Sequence, residues 1–199
     1  MIGTLRDHLL EFARTGDHET RARIEQDIWQ RFGAERTVLV LDMSGFSLLT
    51  RRHGVVHYLS MVRRMQETVR PIVERCGGSV VKFEADNAFA VFPAPQAGIR
   101  AAIAINQAAE LDNADFAKEF DIHLSSGIDH GRILLVEGRD FFGDAVNTAS
   151  KLGEDLAKAG EILVSCSAMA HLANSERPSG CPVKFSVSGI DLEAHSIAY

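Results

Sequence analysis

The sequence has no apolar run approaching the ~18 residues a membrane-crossing helix requires. No membrane span is therefore expected. It also lacks a long basic run. Lys and Arg total 21 against 27 Asp and Glu, for a net charge of −6. That leaves no electrostatic footprint for nucleic acid as a partner. Cysteine is scarce: Cys76, Cys166 and Cys181 are odd in number and form no CxxC pair. Free thiols in a reduced, cytoplasmic protein are the expectation. The opening stretch MIGTLRDHLLEFARTGDHETR is charged from Arg6 onward and contains no apolar core segment, so no secretory signal is expected. No internal repeat or low-complexity segment is visible.

What is present is a chain of 199 residues, 46% of them hydrophobic. That suffices for one ordinary domain plus an extra element. Leu5, Leu9, Phe12 and Ala13, then Ile24, Ile28 and Phe32, recur at helical spacing. Gly16-Asp17 divides residues 1–33 into two helices and Gly33 stops the second. These helices read equally as a regulatory or dimerising element that engages a partner, or as a plain pack against a sheet. The run 37–42, TVLVLD, reads as a buried strand, and 56–75 as an amphipathic helix stopped by Gly77-Gly78. A hairpin follows over 79–84 and 87–92, then an Ala-rich helix over 96–111. A second hairpin is expected, with its turn near His130-Gly131, and a helix over 144–158. Residues 152–158 read as an ordinary solvated helix face. EILVS, VKFSVSG and EAHSIAY read as short strands.

From Thr37 the order is β-α-β-β-α-β, an α+β, ferredoxin-like unit with a C-terminal extension. That topology sets the first and third strands side by side and antiparallel. Asp42 ends the first, and Asp86 sits at the hairpin tip that enters the third, so the two carboxylates should meet. Converging carboxylates at strand ends suit a hard cation such as Mg²⁺, which takes oxygen ligands and substrate phosphates. Within VVKFEADNAFAVF, Lys82, Glu84 and Asp86 share one face. Glu84 reads first as an ion-pair partner of Lys82 and second as a metal ligand. After Asp42 the turn at Ser44-Gly45 enters a helix whose free N–H groups can hold phosphate oxygens. Alone, DMSGFS reads equally well as a helix cap by Asp42 and Ser44. His53 and His57 have zinc-compatible spacing with no third ligand in evidence.

Four segments together carry a family resemblance. LVLDMSGFSLLT, VVKFEADNAFAVF, GIDHGRILL and RDFFGDAVNTASKL occur in that order. They resemble the D-[ILM]-x-G-F-[ST], K-x-x-G-D, G-[IV]-x-x-G and D-x-x-G-x-x-V-N-x-A-[SA]-[RK] motifs of class III nucleotidyl cyclases. The likeness spans about residues 36–199, a catalytic domain preceded by the helical segment 1–33. It implies a homodimer whose sites lie between subunits, with a nucleoside triphosphate as substrate. By the same resemblance Asp42, Asp86 and the Met43 carbonyl would hold two Mg²⁺ or Mn²⁺ ions. Ser44, Gly45, Phe46 and Ser47 would hold the triphosphate. Lys82 and Asp140 of the other subunit would read an adenine, one donating and one accepting a hydrogen bond. Asn147 would orient the ribose, and Lys151 would stand at the transition-state cation position. The implied reaction is ATP to 3′,5′-cyclic AMP and pyrophosphate. A catalytically weak nucleotide-binding domain is one alternative; a cyclase acting on GTP or a pyrimidine nucleotide is another.

The chain departs from the family at its cations. Lys151 replaces an arginine and loses its planar fork. Ser125 stands where the family often has arginine, and Ser188 where it has a phosphate-contacting lysine. His123, Arg132, Lys158 and Lys184 are the candidates to compensate. Ala85 replaces the glycine before Asp86, where a side chain crowds a tight turn.

Overall fold

The computed structural model describes residues 4–187 and 190–199, the side chains of Phe46, Ser47, Val187 and Ile190 excepted. Two helices open the chain, α1 (Leu5–Arg14) and α2 (His18–Phe32). Thr4 and Asp7 form a capping box on α1, and the Asp17 carboxylate accepts from Thr20 N–H at 2.8 Å to cap α2. Leu5, Ile24 and Ile28 form a small core with Phe12, Phe32, Leu134 and Val136. Gly33 stops α2 as expected, its N–H donating to Trp29 O, but with φ −69° rather than a left-handed cap, and the chain passes directly into a strand.

That strand, β1 (Gly33–Met43), is longer than TVLVLD alone. Helices α3 (Phe46–His53) and α4 (Val55–Arg75) follow. Tyr58, Met61, Val62, Met65, Val69, Ile72 and Val73 line the buried face of α4 at helical spacing. Gly78 N–H reaches Val73 O at 2.9 Å and Gly77 has φ +82°, so the expected glycine stop is formed. The hairpin β2 (Ser79–Glu84) and β3 (Asn87–Phe92) turns at Ala85-Asp86, with Ala85 held at φ +52°. Helix α5 spans Pro95–Asn113.

The expected turn at His130-Gly131 is absent. The chain runs straight through as β4 (Leu124–Val136), because β1 extends far enough to pair with it from Met43↔Leu124 to Gly33↔Leu134. The reversal occurs instead at Glu137 (φ +51°) and Gly138 (φ +66°), which supply the two positive φ values of a tight hairpin turn. It leads into β5 (Asp140–Phe142). Helix α6 (Asp144–Ser150) then widens into a π-helical turn over Lys151–Leu156, so the single helix expected over 144–158 changes register midway. Strand β6 (Ile162–Ser165), helix α7 (Cys166–Ala170) and strands β7 (Gly180–Val187) and β8 (Ile190–Ile197) complete the fold.

The strands form one mixed sheet in the order β2-β3-β1-β4-β6-β8-β7, with β5 pairing β4. The first four have the ferredoxin-like arrangement, all antiparallel. Alternation along β1 sends Leu39, Leu41 and Met43 into the main core with α4 and α5. Val38 and Val40 point the other way, into a second core with Ala145 and Ala149 of α6. That second face requires glycine. A Cβ on Gly127 would lie 2.0 Å from Ala149 O, and one on Gly153 would lie 2.8 Å from Val40 O. The α6 segment therefore lies backbone-close across β1 and β4. The described residues contain no helix long and apolar enough to cross a membrane.

Candidate active site

The strand registers bring the two acids together. Asp42 pairs with Asn87 of β3 on one side and with Ser125 of β4 on the other, and Asp86 immediately precedes Asn87. Asp86 is buried, and the Tyr58 hydroxyl donates to its Oδ1 at 3.5 Å. The Asp42 carboxyl is pushed up to about 6, by burial first and then by the charges of Asp86 and Glu154. Asp86 is also raised, again mainly by burial. No lysine or arginine is among the groups that shift either carboxyl. Crowded, desolvated acids have the donor chemistry that a divalent metal relieves. Met43 points its side chain into the core, so only its backbone is available to such an ion.

Glu154, Asp155 and Lys158 are exposed, as expected of a solvated face over 152–158, but Glu154 also acts on the acid pair, a role that reading did not assign. Its pKa is raised by burial and by the charges of Asp155, Glu84 and Asp86. Gly153 is pinned against Val40 and Gly127, and the next residue therefore projects toward the Asp42 end of β1. Periodicity cannot reveal this, because the π turn shifts the face that follows it.

Beyond Asp42 the chain turns through Ser44, whose N–H donates to His123 O at 2.9 Å. Gly45, at φ +81°, caps α3 with no side-chain acceptor, so the first-turn N–H groups have no side-chain cap. The side chains of Phe46 and Ser47 lie outside the described residues, as does Ser188.

Lys82 lies within 3.2 Å of Asp140 Oδ1 and 3.4 Å of Glu84 Oε2. Its Nζ also lies 5.4 Å from the centre of the Phe89 ring. Burial opposes its charge, but Asp140 and Glu84 more than offset this and raise its pKa. The Glu84 contact is the ion pair expected for it. Asn147 is exposed on α6. Lys151, one turn later, has its Nζ 3.1 Å from Asp155.

The proposed compensating cations are dispersed. Arg132 stacks on Trp29 at 4.2 Å, at the far end of β4. Lys184 pairs with Glu193 between β7 and β8, toward the opposite edge of the sheet. Lys158 is exposed beyond the π turn. His123 is exposed, and its backbone carbonyl accepts from the Ser44 N–H in the turn that follows Asp42. His53 and His57 stack on each other at 4.6 Å, and His57 Nε2 lies 2.7 Å from Glu119 O.

This fold and these motifs define a nucleotidyl cyclase domain. Residues 31–197 match the family model described as the adenylate and guanylate cyclase catalytic domain, and the chain belongs to that family. A Rhizobium meliloti (strain 1021) protein named "Putative adenylate cyclase 3" is 31% identical over 128 residues, 64% of this chain and 22% of that protein. The chain thus spans less than a quarter of that relative's length. Among solved structures, the adenylyl cyclase CyaB of P. aeruginosa superposes with a TM-score of 0.72 at 19% identity, covering 84% of this chain and 96% of that one. An adenylate/guanylate cyclase/hydrolase from Silicibacter pomeroyi gives a TM-score of 0.65 at 30% identity, covering 83% and 98%.

Proposed function

We propose that this domain is a metal-dependent adenylate cyclase that works as a homodimer. The observation that carries the choice of adenine is the Lys82–Asp140 pair, a cationic donor beside an anionic acceptor at 3.2 Å. Adenine presents the ring acceptor N1 beside an exocyclic amine donor, and the pair matches both. Guanine would need the opposite order. The 3′-oxygen of the ribose attacks the α-phosphorus, the bond to the bridging oxygen breaks, and pyrophosphate leaves with the electron pair. The 3′-hydroxyl proton passes to water.

Lys82 and Asp140 would hold the base from one subunit, and Asn147 would orient the ribose. The uncapped N–H groups at the start of α3, with Ser44 and Gly45, would bind the triphosphate. Lys151 would meet the charge that develops on the phosphates. Asp42 and Asp86, with the Met43 carbonyl, would hold Mg²⁺ or Mn²⁺, which when bound would neutralise the phosphates and favour the 3′-oxyanion. The helices of residues 1–33, which pack on Leu134 and Val136 of β4, would be an N-terminal segment preceding the catalytic domain of 36–199 and would offer their outer face to a regulatory partner.

A second reading is a nucleotide-binding domain with little turnover. It is favoured by Lys151, whose charge is engaged by Asp155, and by Ser125 in a position where the family often has arginine. One experiment separates the two. Purified protein is incubated with each of the four nucleoside triphosphates and Mn²⁺, and cyclic product and pyrophosphate are measured. Cyclic AMP is expected, and Asp42→Ala should abolish it. Nucleotide binding with no product from any triphosphate would establish the second reading. Cyclic GMP or a cyclic pyrimidine product would overturn the assignment of Lys82 and Asp140.

A further inference from the structure

A second cluster of ligating side chains lies away from the nucleotide site. Glu35 and Thr37 share one face of β1, and His130 faces Thr37 from β4. This is the opposite face from Asp42, about 17 Å along the strand at 3.3–3.4 Å per residue. His171, just past the end of α7, covers the spot, with its ring 4.4 Å from that of His130. One oxygen of Glu35 and one nitrogen from each histidine lie within 4.8 Å of one another. His130 Nε2 and Glu35 Oε1 are 3.4 Å apart.

Both imidazoles are held by their other nitrogen. His171 Nδ1 lies 2.8 Å from Ser167 O, a carbonyl that can only accept, so Nδ1 carries the proton and Nε2 keeps its lone pair. His130 Nδ1 lies 2.8 Å from the hydroxyl of buried Thr37, which leaves its Nε2 facing Glu35. Ser167 Oγ also donates to His130 O at 3.2 Å and ties α7 to β4. Anchored Nδ1 atoms that free Nε2 are the usual outer arrangement around a metal-bound histidine pair.

We propose that Glu35, His130 and His171 form a binding site for a zinc-class transition-metal ion, distinct from the carboxylate site at Asp42 and Asp86. Metal–ligand bonds of 2.0–2.1 Å set tetrahedral ligand atoms about 3.3 Å apart. The Glu35–His130 separation already meets that spacing, and the exposed His171 needs only a small approach. Two imidazoles and one carboxylate favour Zn²⁺, Co²⁺ or Ni²⁺ over Mg²⁺. Three protein ligands leave the fourth position to water. The ion would clip α7 to the centre of the sheet.

Co²⁺ reports this site through the visible absorption of its tetrahedral form. Titrated into the full chain with excess Mg²⁺, Co²⁺ should give tetrahedral bands saturating at one equivalent and lost on adding Zn²⁺. Glu35→Gln and His171→Ala change exposed side chains, so the fold should survive and the bands should weaken at least tenfold in affinity. Thr37→Val removes only the anchor of His130 and should cost about 10–100-fold. A protein carrying both Asp42→Asn and Asp86→Asn should keep the bands. Absence of tetrahedral bands in the unmodified chain overturns the proposal. So does their persistence in both Glu35→Gln and His171→Ala, or their loss in the doubly substituted protein. None of these readouts involves nucleotide, so the proposed cyclase activity stands or falls separately.

Discussion

Ser125 and Asp42 face each other across β4 and β1, and the Ser125 hydroxyl donates to the Asp42 backbone carbonyl at 3.3 Å. A hydroxyl therefore occupies the neighbouring position from which a cation would hold the Asp42 carboxyl down. Burial and the charges of Asp86 and Glu154 act on it unopposed and lift it from the ordinary 3.8 to about 6.

A raised carboxyl pKa makes the metal-free fold depend on pH in a definite direction. The folded state binds this proton more tightly than the unfolded chain does. The contribution is fully present below about 4 and is lost as pH rises through about 6. Thermal melts in chelator should show stability falling across that window, and Asp42→Asn should flatten the fall. Mn²⁺ should restore stability above pH 6, because the metal binds only the ionised carboxyls. An unchanged melting temperature across the window in chelator would count against the crowded acid pair.

Glu154 should act on Asp42 at a distance. In the metal-free protein Glu154→Gln should lower the Asp42 pKa, read by carboxyl-detected NMR titration. Mn²⁺ affinity should fall with it, by a factor on the order of 3–10, since the same charge attracts the cation. Asp155→Asn serves as the control, because Asp155 is not among the groups that shift Asp42. Equal effects from the two substitutions would show that Glu154 has no special proximity.

The Lys151–Asp155 ion pair links residues one helical turn apart, and both side chains retain solvent contact. Such pairs contribute only about 0.3–0.5 kcal/mol. Asp155→Asn should therefore leave the melting temperature nearly unchanged while freeing Lys151 and raising kcat. Lys151→Arg should raise kcat by about tenfold by restoring a planar donor fork. Lys151→Ala should lower it by on the order of 10²–10³. A kcat indifferent to all three substitutions would remove Lys151 from the reaction.

Lys82 and Asp140 should determine which base is accepted. Lys82→Met or Asp140→Ala should raise KM for ATP by about 10–100-fold, the loss of one charge-assisted hydrogen bond. The effect on kcat should be smaller, and GTP should be discriminated less strongly. Steady-state kinetics with both nucleotides test this. A fall in kcat at constant KM would place the pair in the chemical step instead.

Much of this was legible in the sequence because it is local or follows from topology. The β-α-β-β-α-β order reads from hydrophobic period and glycine punctuation, and that order alone predicts that Asp42 and Asp86 meet. The turn misplaced at His130-Gly131 shows where local reading stops. Gly131 is paired with Arg36 in mid-sheet, and a side chain there would come within 3.5 Å of Ala145 Cβ. That is ordinary contact, so this glycine marks neither a reversal nor a packing limit. Glu154 escaped because a π turn breaks the helical count. The Glu35, His130 and His171 cluster escaped because its members are distant in sequence and only the β1–β4 register and the position of α7 unite them.

The unbroken β4 acts as a spacer of fixed length. One end carries Ser125 beside the acid pair, its middle carries His130, and its far end delivers the chain to Asp140. Side chains on a strand alternate between faces, so adding or removing one residue between Ser125 and Val136 would reverse every position beyond the change. His130 or Asp140 would then face the wrong side of the sheet. Point substitutions along β4 can be absorbed one contact at a time, but a change in its length can be accommodated only at the Glu137-Gly138 turn. Evolutionary length variation in this region should therefore be confined to that turn.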